Sequence, residues 1–304
     1  MTYKIVYMGT PHYAKEILET LINATDMEVS LVLTQPDRPV GRKKVLTAPP
    51  VKSLAVEHHI EVLQPNRLSD EGIFEAIEAE KPDFIIVAAF GQILPKNILD
   101  IAPCINLHAS LLPQYRGASP VQQSLLNGDG KSGVTSMMME EGLDTGDILE
   151  MIEFEIPREM RLHALMQQLT EDASGLTLST IRSFENIKPV KQDESQATLC
   201  KKIKKADGEV DFEDASLVYN KYRAFEGWPG IFSANGTKID GVTLVDATSK
   251  HRCFEILSFE NDAVHVGCTV GALKIDTLQP ASKKAMSAKA YCVGRGLKIG
   301  DSIL

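Results

Sequence analysis

The sequence has little of what a membrane protein or an exported protein needs. None of its apolar runs reaches the roughly 18 residues of a membrane span. The first residues, MTYKIVYMG, enter a strand pattern directly, without the basic and apolar regions of a signal peptide or the Arg/Ser bias of a transit peptide. We therefore expect a cytoplasmic protein that is not anchored in a membrane.

Cysteine is scarce, and the spacing of the cysteines indicates no pairs. The five cysteines are widely scattered, and no two have the C-x-x-C spacing of a zinc site or a redox pair: Cys104, Cys200, Cys253, Cys268 and Cys292. An odd number at such separations argues against a disulfide framework. We predict five reduced, mostly buried thiols and no metal site.

The charge balance opposes simple nucleic-acid binding, because 41 acidic residues outweigh 32 basic ones to give a net charge of −9. The halves differ, however: residues 1–195 carry −11 and residues 196–304 carry +2. Six of the seven charged side chains in 274–298 are basic. An acidic body with a local basic surface can still attract a polyanion, although an ordinary solvated surface explains the cluster equally well.

The first half alternates strand and helix patterns. Strands are predicted at KIVYMG (4–9), EVSLVLTQ (28–35), EVLQ (61–64), DFIIVAAFG (83–91) and CINLHAS (104–110). Amphipathic stretches lie between them, and in the one that follows EVLQ, Ser69 is placed as a helix N-cap. Strands this apolar have no face suited to contact with solvent, so both faces of their sheet must be covered. This predicts a mostly parallel sheet with helices on both sides. Ligands of such sheets bind beyond the carboxyl ends of the strands.

The second half has a different pattern. Two extended runs, at 133–140 and 147–157, precede a long helical pattern at about 160–186. Apolar periodicity is then lost over 187–205, which predicts a linker. The remainder consists of short strand patterns separated by turn residues, typical of an all-β domain of sandwich or barrel type.

Three polar residues form the strongest candidate site. Asn106 and His108 lie two apart at the end of a strand, so their side chains project from the same face. An amide N–H can stabilise an oxyanion, and an imidazole can move a proton at neutral pH. Asp144, in the glycine-flanked segment EGLDTGD, could orient the imidazole, or it could simply close an Asx turn.

The candidate site has no obvious nucleophile of its own. Ser110 follows His108 closely, but no G-x-S-x-G elbow surrounds it. A base, an oxyanion donor and a carboxylate without a nucleophile suit direct transfer between two bound substrates. The attacking atom would then be an amine of the acceptor, or a water.

A basic loop is predicted at TQPDRPVGRKKVLTAPPVK (34–52). Pro36, Pro39 and Gly41 are expected to forbid regular structure there. The segment carries Arg38, Arg42, Lys43 and Lys44. Basic loops of this kind often become ordered on contact with nucleic acid, so this one is a candidate RNA-binding element.

Several of these segments match a known family. INLHASLLPQYRGASP (105–120), with EGLDTGDIL downstream, resembles the formyltransferases that use 10-formyltetrahydrofolate. TQPDRPVGRKK, AAFGQILP, RAFEGWPG and LQPASKKAMS are similar to the branch of that family that acts on methionyl-tRNA. The resemblance covers nearly the whole chain. It implies a Rossmann-type catalytic domain over 1–187, a linker over 188–205 and an OB-like β-barrel over 206–304 that binds tRNA.

The resemblance also implies roles for particular residues. Asn106, His108 and Asp144 correspond to the catalytic triad of the family. The co-substrate 10-formyltetrahydrofolate is expected to contact Ser110, Leu111, Leu112, Pro113, Phe90, Gly91, Ile93 and Leu94. Initiator methionyl-tRNA is expected to contact Arg38, Arg42, Lys43, Lys44, Lys204, Lys283 and Lys284. No metal is implied, and we expect a monomer.

Two positions depart from the family pattern. Lys43 stands where the basic loop usually has a second glycine, which would make this loop stiffer and more positive. Ala109 replaces the more usual Pro or Gly before the SLLP turn. The second departure is minor.

Two other interpretations of the site stay open. The triad would equally serve a 10-formyltetrahydrofolate hydrolase, or a formyltransferase acting on glycinamide ribonucleotide or an amino-sugar nucleotide. A non-catalytic RNA-binding protein with an OB-like domain is the alternative from another class. The basic loop and the second domain favour a macromolecular acceptor over a small amine.

Overall fold

The chain folds into two compact units. The computed structural model describes residues 2–41 and 43–304. The first unit contains the residues up to Pro120, Lys131–Glu155 and Met166–Cys200, and the second contains Val121–Gly130, Ile156–Leu165 and Lys201–Leu304. Residues 188–200, which belong to the predicted linker, therefore pack with the first unit.

The elements are numbered in chain order. The strands are β1 (Tyr3–Gly9), β2 (Met27–Leu33), β3 (Arg38–Val40), β4 (Val45–Thr47), β5 (Glu61–Leu63), β6 (Phe84–Ala88), β7 (Cys104–His108), β8 (Arg116–Gly117), β9 (Lys131–Met138), β10 (Ile148–Glu155), β11 (Leu199–Cys200), β12 (Ile231–Phe232), β13 (Lys238–Asp246), β14 (Glu255–Glu260), β15 (Ala263–Gly267), β16 (Ala272–Gln279) and β17 (Met286–Ser287). The α-helices are α1 (His12–Asn23), α2 (Pro50–Glu57), α3 (Ile73–Glu80), α4 (Lys96–Leu99), α5 (Pro120–Asn127), α6 (Leu162–Ser183), α7 (Ala215–Ala224) and α8 (Ala288–Val293).

The first unit is built on a seven-stranded sheet of order β10-β9-β7-β6-β1-β2-β5. The five strands from β7 to β5 are parallel, and β9 and β10 extend the sheet in antiparallel fashion. The mostly parallel sheet is thus confirmed. Every residue of β6 and β7 is buried. Burial on both faces explains the unbroken apolar sequence of β6, FIIVA, whereas β7, CINLH, places Asn106 and His108 in an equally buried setting.

The strand order reverses beside β1. The chain runs from β1 outward to β2 and β5 on one side, then returns to β6 and β7 on the other. In open sheets of this kind, the loops on the two sides of such a reversal diverge, and ligands usually bind between them at the carboxyl ends of the strands. The neighbouring β7 ends at the same edge with His108.

Helix α3 begins later than predicted. It starts at Ile73, after Gly72, which has a left-handed φ of 82° and occupies the N-cap position. The prediction that Ser69 caps this helix is wrong, because a residue with that φ interrupts helical geometry between Ser69 and Ile73. Asp70 instead closes a turn, accepting the backbone N–H of Arg67 over 2.9 Å.

The basic segment contains regular structure, contrary to prediction. Strands β3 and β4 form an antiparallel hairpin in which Arg38 pairs with Thr47. Pro39 did not prevent pairing, because a two-stranded ribbon has outward edges where a missing N–H costs nothing. Gly41, with a φ of 70°, and Lys44, with a φ of 49°, supply the turn. We refer to residues 38–47 as the basic hairpin; Arg42 lies outside the described residues.

The second unit contains the antiparallel strands that the sequence predicted. Its sheet has the order β12-β13-β16-β15-β14, with β17 also paired to β16. All of these pairings are antiparallel. Helices α7 and α8, and all of α5 except its first residue, belong to the same unit. Asp214 caps α7 by accepting two backbone N–H groups, and Ser287 caps α8 by accepting one. The four cysteines other than Cys253 are buried, and none of the five is paired.

Across residues 2–41 and 43–304, we find no helix whose length and apolar character would allow it to cross a membrane.

Candidate active site

The site begins at the carboxyl end of β7. Asn106 and His108 occupy alternate positions there, and β9 pairs with both through Met137 and Thr135. Both side chains are largely buried, with 8% and 6% of each residue exposed. The intervening carbonyl of Leu107 accepts the Tyr13 hydroxyl over 3.2 Å, which ties this strand end to helix α1. The predicted common orientation of the amide and the imidazole follows from this strand geometry.

Asp144 converges on the same point from the loop between β9 and β10. Nδ2 of Asn106 donates to Oδ1 of Asp144 over 3.4 Å, and Nδ1 of His108 lies 3.7 Å from Oδ2. Oδ2 also accepts the backbone N–H of Gly117 over 2.8 Å. The carboxylate therefore binds groups distant in sequence instead of closing an Asx turn. Asp144 itself has a φ of 53°, an uncommon conformation for a residue other than glycine.

The contacts of His108 assign its ring hydrogens. Nε2 lies 3.0 Å from the backbone oxygen of Tyr115. A carbonyl oxygen can only accept, so Nε2 carries the hydrogen in the neutral ring. Nδ1 is then the nitrogen with the free lone pair, and it faces Asp144.

The turn after β7 is fixed by its own hydrogen bonds. The Ser110 hydroxyl donates to the backbone oxygen of Gln114 over 2.6 Å. Thr135 donates its hydroxyl to the Ser110 oxygen over 2.7 Å and accepts the backbone N–H of Leu112 over 3.2 Å. The Leu112–Pro113 peptide bond is cis. Ser110 is 2% exposed and its hydroxyl is engaged, which agrees with the absence of a nucleophile elbow.

The residues predicted to contact folate from 88–95 divide into two groups. Phe90 and Leu94 are buried and belong to the core between the sheet and its helices. The backbone oxygen of Phe90 accepts from Thr10 and Gln35, each over 3.2 Å. Ile93, in contrast, is 66% exposed. A ligand at this edge would therefore meet Ile93 and the backbone around Gly91, not the rings and methyl groups of the core.

The predicted tRNA-contacting residues that the structure describes are all exposed. In the first unit these are Arg38, Lys43 and Lys44, and in the second they are Lys204, Lys283 and Lys284. The guanidinium of Arg38 donates to Oε1 of Gln35 over 3.2 Å. At the base of the basic hairpin, Asp37 accepts from Lys52 over 2.8 Å and from Gln64 over 2.7 Å. These contacts hold the pKa of the Asp37 carboxyl below its usual value.

Sequence reasoning missed the groups that surround the triad. Tyr115 and Gly117 contact His108 and Asp144 through their backbones, so no side-chain pattern marks them. Gly117 has a φ of 115°, which favours glycine. The presence of a glycine at position 117 is therefore the one feature of the sequence that could indicate this backbone contact. Gln192 reaches the Asp144 loop from a segment without periodicity, and nothing in its surroundings indicates this role.

Within the described ranges, no three His, Cys, Asp or Glu side chains are grouped so that they could hold a metal ion.

Comparison with known proteins identifies the family. Residues 3–181 match the family model for formyl transferase, and residues 202–296 match that for the formyl transferase C-terminal domain. The chain is 75% identical to a methionyl-tRNA formyltransferase of Sulfurovum sp., and the alignment covers the full length of both proteins. The chain belongs to the methionyl-tRNA formyltransferase family. The resemblance predicted from the sequence motifs is thereby confirmed.

Further methionyl-tRNA formyltransferases agree along the whole chain. The relative from Sulfurimonas denitrificans is 49% identical over 99% of both chains. That from Nitratiruptor sp. is 50% identical over 98% of this chain and 99% of its own.

Solved structures share the fold at lower identity. An N-formyltransferase from Helicobacter canadensis, in complex with folinic acid and dTDP-3-aminofucose, has a TM-score of 0.68 and 20% identity over 90% of this chain and 98% of its own. HypX from Aquifex aeolicus, in complex with tetrahydrofolic acid, has a TM-score of 0.61 and 20% identity. The chain aligns over 98% of its own length with 48% of HypX.

Proposed function

We propose that this protein transfers the formyl group of 10-formyltetrahydrofolate to the α-amino group of methionine esterified to initiator tRNA. Besides family membership, the observation that supports the chemistry most strongly is the pair of contacts that Asp144 makes with Asn106 and His108, at 3.4 and 3.7 Å. An amide donor, a base and a carboxylate meet at one strand end. Each matches a step of acyl transfer to an amine.

The acceptor amine is the nucleophile in this reaction. A free α-amino group has a pKa of about 7.7–8.0, and esterification lowers it, so a useful fraction is neutral at pH 7. Its nitrogen attacks the formyl carbon and forms the new C–N bond, which places a negative charge on the formyl oxygen. Asn106 has two amide hydrogens, and only one is needed for Asp144. The other is available to the developing oxyanion.

His108 moves the proton. Because Nε2 is bound to the Tyr115 oxygen, Nδ1 is the atom that accepts the proton from the attacking nitrogen. Asp144 stabilises the imidazolium so formed. The proton then passes to N10 of the folate as the bond between N10 and the formyl carbon breaks. The products are the N-formylated amine and tetrahydrofolate, with no net proton gained or lost by the enzyme.

The acceptor is assigned to tRNA on separate grounds. The basic hairpin presents Lys43 and Lys44 to solvent, and the second unit presents Lys204, Lys283 and Lys284. Charges of this sign are suited to phosphate groups. We assign the transfer chemistry to residues 1–187 and tRNA binding to residues 206–304 together with the basic hairpin. Residues 188–205 form the connection, and their first part, 188–200, packs with the first unit.

An acceptor-competition assay tests the proposal. Purified protein and 10-formyltetrahydrofolate labelled in the formyl group are offered methionyl initiator tRNA, glycinamide ribonucleotide, an amino-sugar nucleotide or no acceptor. We expect label only on the methionine of the tRNA, and none with His108→Ala. Formate release without acceptor would indicate a hydrolase, and label on a small amine would indicate the other transferase. Tight tRNA binding without any transfer would indicate a non-catalytic RNA-binding protein.

We also propose that the protein acts as a monomer in the cytoplasm. Both substrates are soluble, and one chain carries the complete set of groups for the reaction. Light scattering during gel filtration should give the mass of a single 33.4 kDa chain. A dimer mass at working concentration would overturn this assignment.

A further inference from the structure

A single buried amide connects the catalytic loop to the segment that follows helix α6. Nε2 of Gln192 donates to the backbone oxygens of Asp144 and Gly146, over 2.9 and 2.8 Å. Its Oε1 accepts from Nε and Nη2 of Arg116, over 3.0 and 2.8 Å. Gln192 is 9% exposed. Both ends of this amide are thus fully used, and each end holds a different part of the site.

Arg116 is the second half of this connection. It is 4% exposed, and besides Gln192 its guanidinium donates to both carboxylate oxygens of Glu194, over 2.9 and 2.7 Å. Proximity to the Glu194 carboxylate raises the pKa of Arg116, so its charge is secure at any physiological pH. The guanidinium therefore fixes the orientation of the Gln192 amide. Its N–H groups only donate, so they must face the amide oxygen, and the amide nitrogen is then directed at the Asp144 loop.

Further along the same segment, Thr198 holds the loop on the other side of the triad. Its Oγ1 accepts the backbone N–H of Tyr115 over 2.8 Å, and its backbone oxygen accepts that of Arg116 over 2.9 Å. Strand β11 then pairs in parallel with β8. We call residues 192–200 the strap. The strap thus binds the backbone that contacts His108 and the backbone that carries Asp144, and all of these residues belong to the first unit.

We infer that Gln192 is a positioning residue that holds the Asp144 carboxylate against Asn106 and His108. The inference rests on the proposed function, because it assigns Gln192 a part in that reaction. Asp144 has a left-handed φ of 53°, a conformation that is uncommon outside glycine although Asp adopts it more readily than most residues. The two amide hydrogen bonds from Gln192 hold the carbonyls of Asp144 and Gly146 and so fix the backbone that carries the carboxylate. Gln192 touches no reacting atom and acts through Asp144.

The decisive variant is Gln192→Glu. It keeps the size of the side chain and the oxygen that faces Arg116, but it replaces the NH2 group with an oxygen that faces two carbonyls. We expect kcat to fall by up to about 100-fold, the loss typical of a displacement of about 1 Å in a catalytic group. KM for the tRNA and for the folate should stay within about twofold, because neither binding surface changes.

A matched control lies four residues along the strap. Gln196 is exposed, and its Nε2 donates to Asp193, away from the triad. Gln196→Glu makes the same chemical change in the same segment without touching the Asp144 loop. Its kcat should equal that of the unaltered protein. If both variants lose activity equally, added charge on the strap is the cause, and the assignment to Gln192 falls.

A double-mutant cycle separates positioning from general destabilisation. In an Asp144→Asn background, Gln192→Glu should reduce the single-turnover rate by less than about threefold, since the group that it positions is already disabled. Two outcomes would overturn the inference. One is that the rate losses of Gln192→Glu and Asp144→Asn multiply in full in the double variant. The other is that the rate loss of Gln192→Glu equals the decrease in its folded fraction, measured by thermal unfolding. Gln192→Met, which removes the donors without adding charge, replaces Gln192→Glu in all of these measurements should the latter fail to fold.

The unaltered protein keeps the two proposals apart. If it formylates methionyl initiator tRNA and Gln192→Glu does so at the same rate, only the positioning role is wrong. If it transfers formyl to no amine, the proposed function is wrong, and the role of Gln192 in that function is withdrawn with it.

Discussion

The backbone N–H of Gly117 lies 2.8 Å from Oδ2 of Asp144, the same oxygen that faces His108. A main-chain donor cannot rotate away as a side chain can, so it holds the carboxylate at a fixed position. Gly117 meets this requirement only because it has a φ of 115° and passes close to the chain at Cys200. A backbone glycine is therefore as much a part of the triad's geometry as the side chains.

Replacing that glycine should disable the site. A Cβ at position 117 would lie 2.5 Å from the backbone oxygen of Cys200, and the φ there is one that L-residues rarely adopt. We expect Gly117→Ala to lower kcat by at least about 100-fold, because Asp144 is deprived of its fixed donor. It should also lower the free energy of unfolding by about 1–3 kcal/mol. Steady-state kinetics and urea unfolding measure the two effects.

Gly175 provides the control for this substitution. It lies inside helix α6, and a Cβ there would meet nothing within 4 Å. Gly175→Ala should leave kcat unchanged and raise the free energy of unfolding by up to about 1 kcal/mol. Normal activity of Gly117→Ala would show that the hydrogen bond to Asp144 is dispensable.

The three polar side chains of the triad should affect turnover and not binding. Removing one oxyanion donor typically costs about 10²–10³ in kcat, so Asn106→Ala should fall in that range. His108→Ala and Asp144→Asn should each lose at least as much as a typical proton-transfer catalyst contributes, about 10²–10⁴. Folate affinity, measured by equilibrium dialysis, should change little in all three. A parallel loss of affinity and turnover would indicate that these residues only hold the substrate.

Much of the site could be predicted from the sequence because it depends on strand geometry. Asn106 and His108 had to share a face, and a parallel sheet had to present them at its carboxyl edge. The flanking glycines and the family resemblance indicate Asp144. These are the residues whose position follows from local structure.

The rest depends on contacts that local sequence does not encode. Gln192 lies 48 residues from Asp144 in a segment that lacks apolar periodicity, and only folding brings them together. Proline and glycine in the basic segment predict a break, so the sequence does not indicate the hairpin of β3 and β4, although a ribbon with two outward edges tolerates Pro39. Ser69 is a good capping residue and predicts an earlier start for helix α3, but the left-handed Gly72 places that start at Ile73.

The basic hairpin should contribute to tRNA binding through charge alone. We expect Lys43→Gln with Lys44→Gln to weaken tRNA binding and to reduce the slope of log K against log salt by about 1 for each phosphate that is no longer neutralised. Folate affinity should not change. Filter binding between 50 and 200 mM salt, roughly the range where such interactions dominate, gives the slope.

Two lysines outside the hairpin serve as the control for this charge change. Lys81 is exposed and has a φ of 48°, almost the 49° of Lys44, and Lys188 is also exposed. Lys81→Gln with Lys188→Gln removes the same net charge. If it flattens the salt dependence as much as the hairpin variant, the effect comes from overall charge and the hairpin has no special role.

The cysteines should differ sharply in their reactivity. Burial raises the pKa of the Cys104 and Cys268 thiols to about 12, and it also raises the pKa of Cys200 and Cys292. With a pKa of about 12, only about one thiol in 10⁴ is ionised at pH 8, and the thiolate is the reactive form. Cys253 is the one that is partly exposed.

At pH 8 the native protein should therefore release one equivalent of chromophore from a disulfide reagent quickly and four more only slowly. In about 6 M guanidinium chloride, which unfolds most domains, all five thiols should react together. Unfolding removes the burial that suppresses their ionisation. Cys253→Ser should abolish the fast phase in the native protein. Cys268→Ser should leave that phase intact and remove one equivalent from the slow phase. A fast phase that survives Cys253→Ser would mean that a second thiol is open to solvent, contrary to the burial described above.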